Sequence, residues 1–158
     1  MGKALNYSDM CRRVRDAIRV KRCAIGGSAW HLRRMGYNTR VVENRTRGKV
    51  VLSRVKWCRS FLCRLRGLTF RRRLPADEGL LLVEARASVA ATAIHMFFVF
   101  FPIAVLWLDA QKRVVDVALA RPFRPYYAPR HSAQYFVEGV PGLLDQVHVG
   151  DELDWEMR

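Results

Sequence analysis

Carboxylates are scarce in the first half of this chain. Residues 1–73 hold 3 Asp/Glu against 21 Lys/Arg, a net +18, while residues 74–158 hold 11 against 7, a net −4. A half so poor in negative charge is suited to polyanions, either nucleic acid or an anionic membrane surface. The plainer reading, a solvated basic face, stands beside it. Cysteine and histidine are also few, with four of each. Cys11, Cys23, Cys58 and Cys63 show no CxxC spacing, and His31, His95, His131 and His148 are scattered, so no metal site and no cofactor are expected. On one helix Cys58 and Cys63 would point about 140° apart, which predicts that they do not bond to each other. Free thiols fit a reducing compartment. The N-terminus lacks the continuous apolar stretch of a secretory leader, so a cytoplasmic protein is expected. HExxH, a nucleophile elbow, an ordered Ser-His-Asp set and a glycine-rich phosphate loop are missing as well. No reaction is legible from a motif, and the balance leans away from an enzyme.

What is abundant is apolar sequence. Hydrophobic residues make up 51% of 158, too many for a disordered chain and enough for one domain with a real core. Ala87 to Leu108 is a run of 22 residues without a formal charge, and it contains "AIHMFFVFFPIAVLWL". That is long enough to span a bilayer, which gives a membrane reading over residues 89–108. Against it, 6 of the 8 positions 94–101 are aromatic or β-branched, and Pro102 favours extended backbone before it.

Around the run the pattern is short and β-rich. "RVVEN" and "KVVLSRV" flank "NRTRG" as a hairpin. In "KWCRSFLCRLRGL" the residues Trp57, Cys58, Phe61, Leu62 and Leu65 define one face of an amphipathic helix that Gly67 ends in a left-handed cap. "LLLVEA" reads as a buried strand, "IAVLWL" and "VVDVAL" as a hairpin across a charged turn, and "AQYFVEG" as a further strand. "RPFRPYYAPRH" is a proline-stiffened loop, "LLDQVH" a short helical turn, and "ELDWEM" a half-buried strand by strict alternation. Residues 1–39 form a basic extension, poorly ordered or partly helical. Ser8 would cap a helix there, with Met10, Val14, Ala17 and Ile18 on one face, and Met35 offers an alternative start.

"FLCRLRGLTFRRRLPADEGLLLV", "AIHMFFVFFPIAVLWLDAQKRVV", "VEGVPG" and "VGDEL" occur in that order. Together they resemble the widespread prokaryotic family catalogued as domain of unknown function 192, over about Val41 to Trp155. The resemblance implies a mainly β (α+β) fold. It would be a small, partly closed barrel or a sandwich of antiparallel hairpins with one short helix, over residues 40–158. It also implies that the apolar run splits into two buried strands around Pro102. It supplies no activity. The chain departs from the family pattern in having Thr69 where methionine is common and Ala104 where an aspartate is usual.

The candidate site residues form two groups. Arg66, His95, Met96 and Asp109 are candidates for a small-molecule pocket, with His95 either a pH-sensitive group facing it or a buried histidine bonded to backbone. Asp109 is the carboxylate that would serve His95 if the protein were an enzyme. Arg59, Arg64, Arg71, Arg72, Arg73, Arg121 and Arg124 are candidates for polyanion contacts. Phe123, Tyr126 and Tyr127 beside the last two could stack on single-stranded bases. The expectation is a non-catalytic binding domain with a basic face or a small-ligand pocket near His95.

Overall fold

The computed structural model describes residues 39–157. Seven strands run β1 Thr39–Asn44, β2 Lys49–Cys58, β3 Glu78–Ser88, β4 Ile103–Leu108, β5 Val114–Ala120, β6 Ala133–Gly139 and β7 Leu153–Met157. They form one curled sheet in the order β5-β4-β6-β3-β2-β1-β7. Neighbours pair antiparallel except β2 with β3. A parallel pair needs a long crossover, and residues 59–77 supply it, carrying helix α1 (Phe61–Arg66). The two edge strands meet at one end. Arg113 bridges Glu152, the Val114 N–H donates to the Asp151 carbonyl at 2.8 Å, and the Gly150 N–H donates to the Val114 carbonyl at 2.8 Å. The sheet is therefore a half-barrel, mainly β and partly closed, with one short helix.

Apolar side chains fill both faces of the sheet. Val42, Leu52, Val55, Leu81, Leu106 and Val137 pack on one face. Leu80, Leu82, Val105, Trp107 and Phe136 pack on the other, beneath Leu68, Ile94, Met96 and Val99 from segments that cross it. All six residues of β4 are buried. A strand covered on both sides reads as a continuous apolar run rather than an alternation. Glycine matters at one close approach: a Cβ at Gly79 would lie 2.7 Å from both the Glu138 carbonyl oxygen and Leu52 Cδ1.

Three local expectations need correction. Residues before Pro102 do not form a strand; Ile94 makes one isolated bridge, to Tyr127, and Phe97, Phe98 and Phe100 are exposed. The reason is that β5 and β6 occupy both hydrogen-bonding edges of β4. The preceding segment has no free edge of β4 to join and lies across the sheet face instead, pinned where Trp107 Nε1 donates to the Thr92 carbonyl at 2.8 Å. The helix is also shorter than its apolar pattern. Trp57 and Cys58 belong to β2, opposite Leu81 and Leu82, and Phe61 and Leu62 are exposed. Ser60 begins the helix, its Oγ accepting from the Cys63 N–H at 3.3 Å. Because Cys58 ends a strand and Cys63 sits in the helix, their α carbons are 5.3 Å apart and the two form a disulfide. The angular argument against that bond required a single helix, and the free-thiol argument for a reducing compartment lapses for this pair.

No helix among the described residues is long and apolar enough to cross a membrane. The helix expected from Ser8, with Met10, Val14, Ala17 and Ile18 on one face, and the alternative start at Met35 lie outside the described residues.

Candidate functional site

Strand alternation places a carboxyl group on an apolar face. In β6, Phe136 and Glu138 project to the same side. Phe136 stands between Leu82 and Trp107 in register, and Glu138 between Leu80 and Val105. The crossing segments leave a cleft of about 140 Å³ over this point, lined by Gly67, Leu68, Thr69, His95, Met96 and Glu138, with Arg64 and Glu84 at its wall. Glu138 is 7% exposed. Among the described residues its carboxyl has no hydrogen-bond or ion-pair partner. Burial pushes its pKa up to about 7, because the charged form loses hydration that nothing replaces.

The end of α1 brings backbone beside that carboxyl. Gly67 has φ 40° and ψ −125°, and its N–H donates to the Cys63 carbonyl at 3.0 Å. The positive φ matches the expected glycine cap, although ψ departs from the left-handed helical region. A Cβ at Gly67 would lie 4.0 Å from Glu138 Oε2. The second carboxylate at the wall, Glu84, is ion-paired with Arg64, whose Nη1 also donates to the Val83 carbonyl at 3.4 Å. Glu138 is thus the cleft carboxyl without a partner among the described residues.

The structure brings some of the expected pocket residues together. His95 is exposed and lines the cleft, its ring 5.5 Å from that of Phe97; Met96 is buried and also lines it. Arg66 is exposed and does not line it. Asp109 lies in the β4–β5 turn, where its Oδ1 accepts from the Gln111 and Arg113 N–H groups at 2.9 Å each. It takes no part in the cleft, and the carboxyl that shares the cleft with His95 is Glu138. Sequence reasoning missed Glu138 although a signal was present: a glutamate two residues after Phe136, on the same side of a strand between apolar neighbours.

The arginines divide. Arg64 is committed to Glu84, and Arg71 to Glu78 at 3.4 Å. Arg59, Arg72, Arg73, Arg121 and Arg124 are exposed, with no carboxylate partner among the described residues. Of the two departures from the family pattern, Thr69 lines the cleft, whereas Ala104 is buried in the core on the opposite face. An aspartate at 104 would lie away from Glu138.

Known proteins resemble this chain in sequence and in fold. A UPF0127 protein from Thermococcus sibiricus is 37% identical over 117 residues, covering 73% of this chain and 74% of its own length. One from Thermococcus kodakarensis is 38% identical over 117 residues, 73% of each chain. Two solved structures share the fold. One is a Sinorhizobium meliloti protein put forward as a transcription regulator, with a TM-score of 0.66 at 21% identity over 74% of this chain and 92% of that one. The other is a protein of unknown function from Novosphingobium aromaticivorans, with a TM-score of 0.64 at 20% identity over 74% and 84%. Residues 42–155 match the model of DUF192, described as an uncharacterized ACR. A match of that length, with relatives of this identity and a shared half-barrel, places the chain in the DUF192 family.

Proposed function

We propose that the domain is a non-catalytic module that binds a small ligand in the cleft at Glu138, and that the ligand presents hydrogen-bond donors, as amines and polyols do. The observation that carries this reading is the buried Glu138 carboxyl, without a partner and open to the cleft. Leaving such a group unsatisfied is unfavourable, and a donor on a ligand removes that penalty. The chemistry of the walls agrees: the Thr69 hydroxyl and His95 ring are polar, while Met96 and Val99 are apolar. The volume of about 140 Å³ has room for roughly five waters, and so for a small ligand or one end of a larger one.

Thermal shift and titration calorimetry with ethanolamine, ethylammonium and glycerol test the reading. At least one probe should stabilise the wild-type protein and leave a folded Glu138→Leu variant unmoved. If none shifts the wild type, or if the variant responds equally, the cleft is not a binding site of this kind.

A further inference from the structure

Three segments cross the second face of the sheet and are joined to one another through their main chains. The Phe70 N–H donates to the Phe98 carbonyl at 3.0 Å, the Met96 N–H to the Arg124 carbonyl at 2.9 Å, and the Phe123 N–H to the Met96 carbonyl at 3.0 Å. Their buried residues roof the core and the cleft. Their outward residues are of another kind. Phe70, Phe97, Phe98, Phe100, Phe123 and Tyr126 are all exposed, between 46% and 71%. An apolar patch of this composition on a folded domain calls for a partner.

The backbone holds these rings outward against its own preference. Phe70, Phe98 and Phe123 have φ near +60°, three of the four non-glycine residues with positive φ among those described. Phenylalanine is unfavourable there, and asparagine or glycine would be the relaxed choice. Strain of this sort gathers at sites of function.

Charge decides the kind of partner. Segments 66–74, 89–102 and 121–127 carry six arginines and no Asp or Glu. Of the six, only Arg71 has a carboxylate partner among the described residues, Glu78. A second copy of this face would set arginine against arginine, which disfavours self-pairing. A single-stranded nucleic acid would need ring faces free for bases. Here Phe70 and Phe98 already stack on each other at 5.1 Å, and Phe100 meets Phe123 edge to face at 5.6 Å. Five of the six rings have no polar atom, so they suit a hydrocarbon boundary, with arginines among them for headgroups.

We infer that the arginine- and phenylalanine-bearing outer surface of the three crossing segments docks on an anionic lipid surface, its rings entering the headgroup boundary and its arginines meeting lipid phosphates. This surface is separate from Glu138, so vesicle binding does not depend on the cleft.

The test is co-sedimentation of the full chain with phosphatidylcholine vesicles, with and without phosphatidylglycerol, at rising salt. Two variants accompany it. Phe70→Asn/Phe98→Asn/Phe123→Asn keeps the turns, because asparagine accepts positive φ, and circular dichroism checks that it folds. Arg72→Gln/Arg73→Gln/Arg121→Gln/Arg124→Gln removes charge from the same face. The wild type should bind phosphatidylglycerol vesicles and lose affinity with salt. The asparagine variant should bind at least about tenfold more weakly, and each lost arginine should cost roughly fivefold at low salt. Undiminished binding by the asparagine variant would overturn the inference and assign the affinity to another basic region, such as residues 1–34 with their 9 Lys/Arg. Absence of vesicle binding would overturn it too, including the case in which single-stranded RNA binds and the same variants abolish that binding.

Discussion

Glu138 shows how one residue's surroundings become a measurable property. Its pKa rises from 4.5 to about 7 because burial removes water without supplying a partner. Between those values the folded protein holds a proton that the unfolded chain has released. Stability is therefore highest below about pH 4.5 as far as this group is concerned, and the loss is complete once pH has risen past 7. The full difference corresponds to about 3 kcal/mol. Glu138→Gln should flatten that slope and be more stable than the wild type at pH 8. Chemical denaturation of both proteins at pH 5 and pH 8 measures it; parallel curves would mean that the carboxyl is not buried as described. At this scale the sequence was half legible. "AQYFVEG" identifies the strand, and its alternation holds an unused signal, Glu138 on the same side as Phe136. That the shared side was apolar depended on Leu80 and Val105, which come from strands remote in sequence.

Secondary-structure elements were legible where a segment's own chemistry matched its place. β4 was readable because a strand buried on both faces is apolar throughout. The stretch before it departs from its own pattern because six of eight strand-forming residues say nothing about a free sheet edge, and β4 has none to offer. The same applies to α1, whose apolar pattern extends back through Trp57 and Cys58 although the sheet claims both for β2. Gly79 is the element-scale test. Its missing side chain lets β3 lie against the Glu138 backbone and Leu52, and the first obstacle to a Cβ is a carbonyl oxygen that cannot move independently of the strand. Gly79→Ala should lower unfolding free energy by about 1–3 kcal/mol, read from the denaturant midpoint. Gly142→Ala, with nothing within 4 Å of the added Cβ, is the control and should change little.

At the scale of the whole molecule, the contact between the first and last strands depends on a buried carboxylate. Asp151 accepts from Asn44 Nδ2 at 2.8 Å, Arg47 Nε at 2.9 Å and the His148 N–H at 3.0 Å. Burial alone would raise its pKa, but the bonds from His148, Asn44 and Arg47 outweigh it and hold the group below its ordinary 3.8. Asp116 and Asp154 follow the same logic: burial opposes, and bonding to Arg130 or to Lys112 prevails. A depressed carboxylate adds stability that is present above its unfolded pKa and disappears as pH falls through the folded value. Combined with Glu138, this predicts a stability maximum on the acid side of neutrality, with losses below about pH 4 and, on the other side, between about pH 4.5 and 7. Melting temperatures across pH 3–8 test it. Asp151→Asn should cost about 2–3 kcal/mol at pH 6, because it weakens the Arg47 pairing and sets an amide against the His148 N–H. An unchanged melting temperature would remove Asp151 from the closure.

Composition and local pattern by themselves determined that this chain folds as a β-rich domain, with its hairpins and loops in the order found and its cations concentrated toward one half. Those properties follow from nearest-neighbour chemistry: side-chain alternation, turn residues and the cost of burying charge. Tertiary structure alone decided that Cys58 meets Cys63, that residues 89–102 cross the sheet instead of joining it, and that Glu138 stands between apolar neighbours without a partner among the described residues. Each depends on which strand edges are already filled and on which distant residue stands opposite, and the sheet settles both only when it closes.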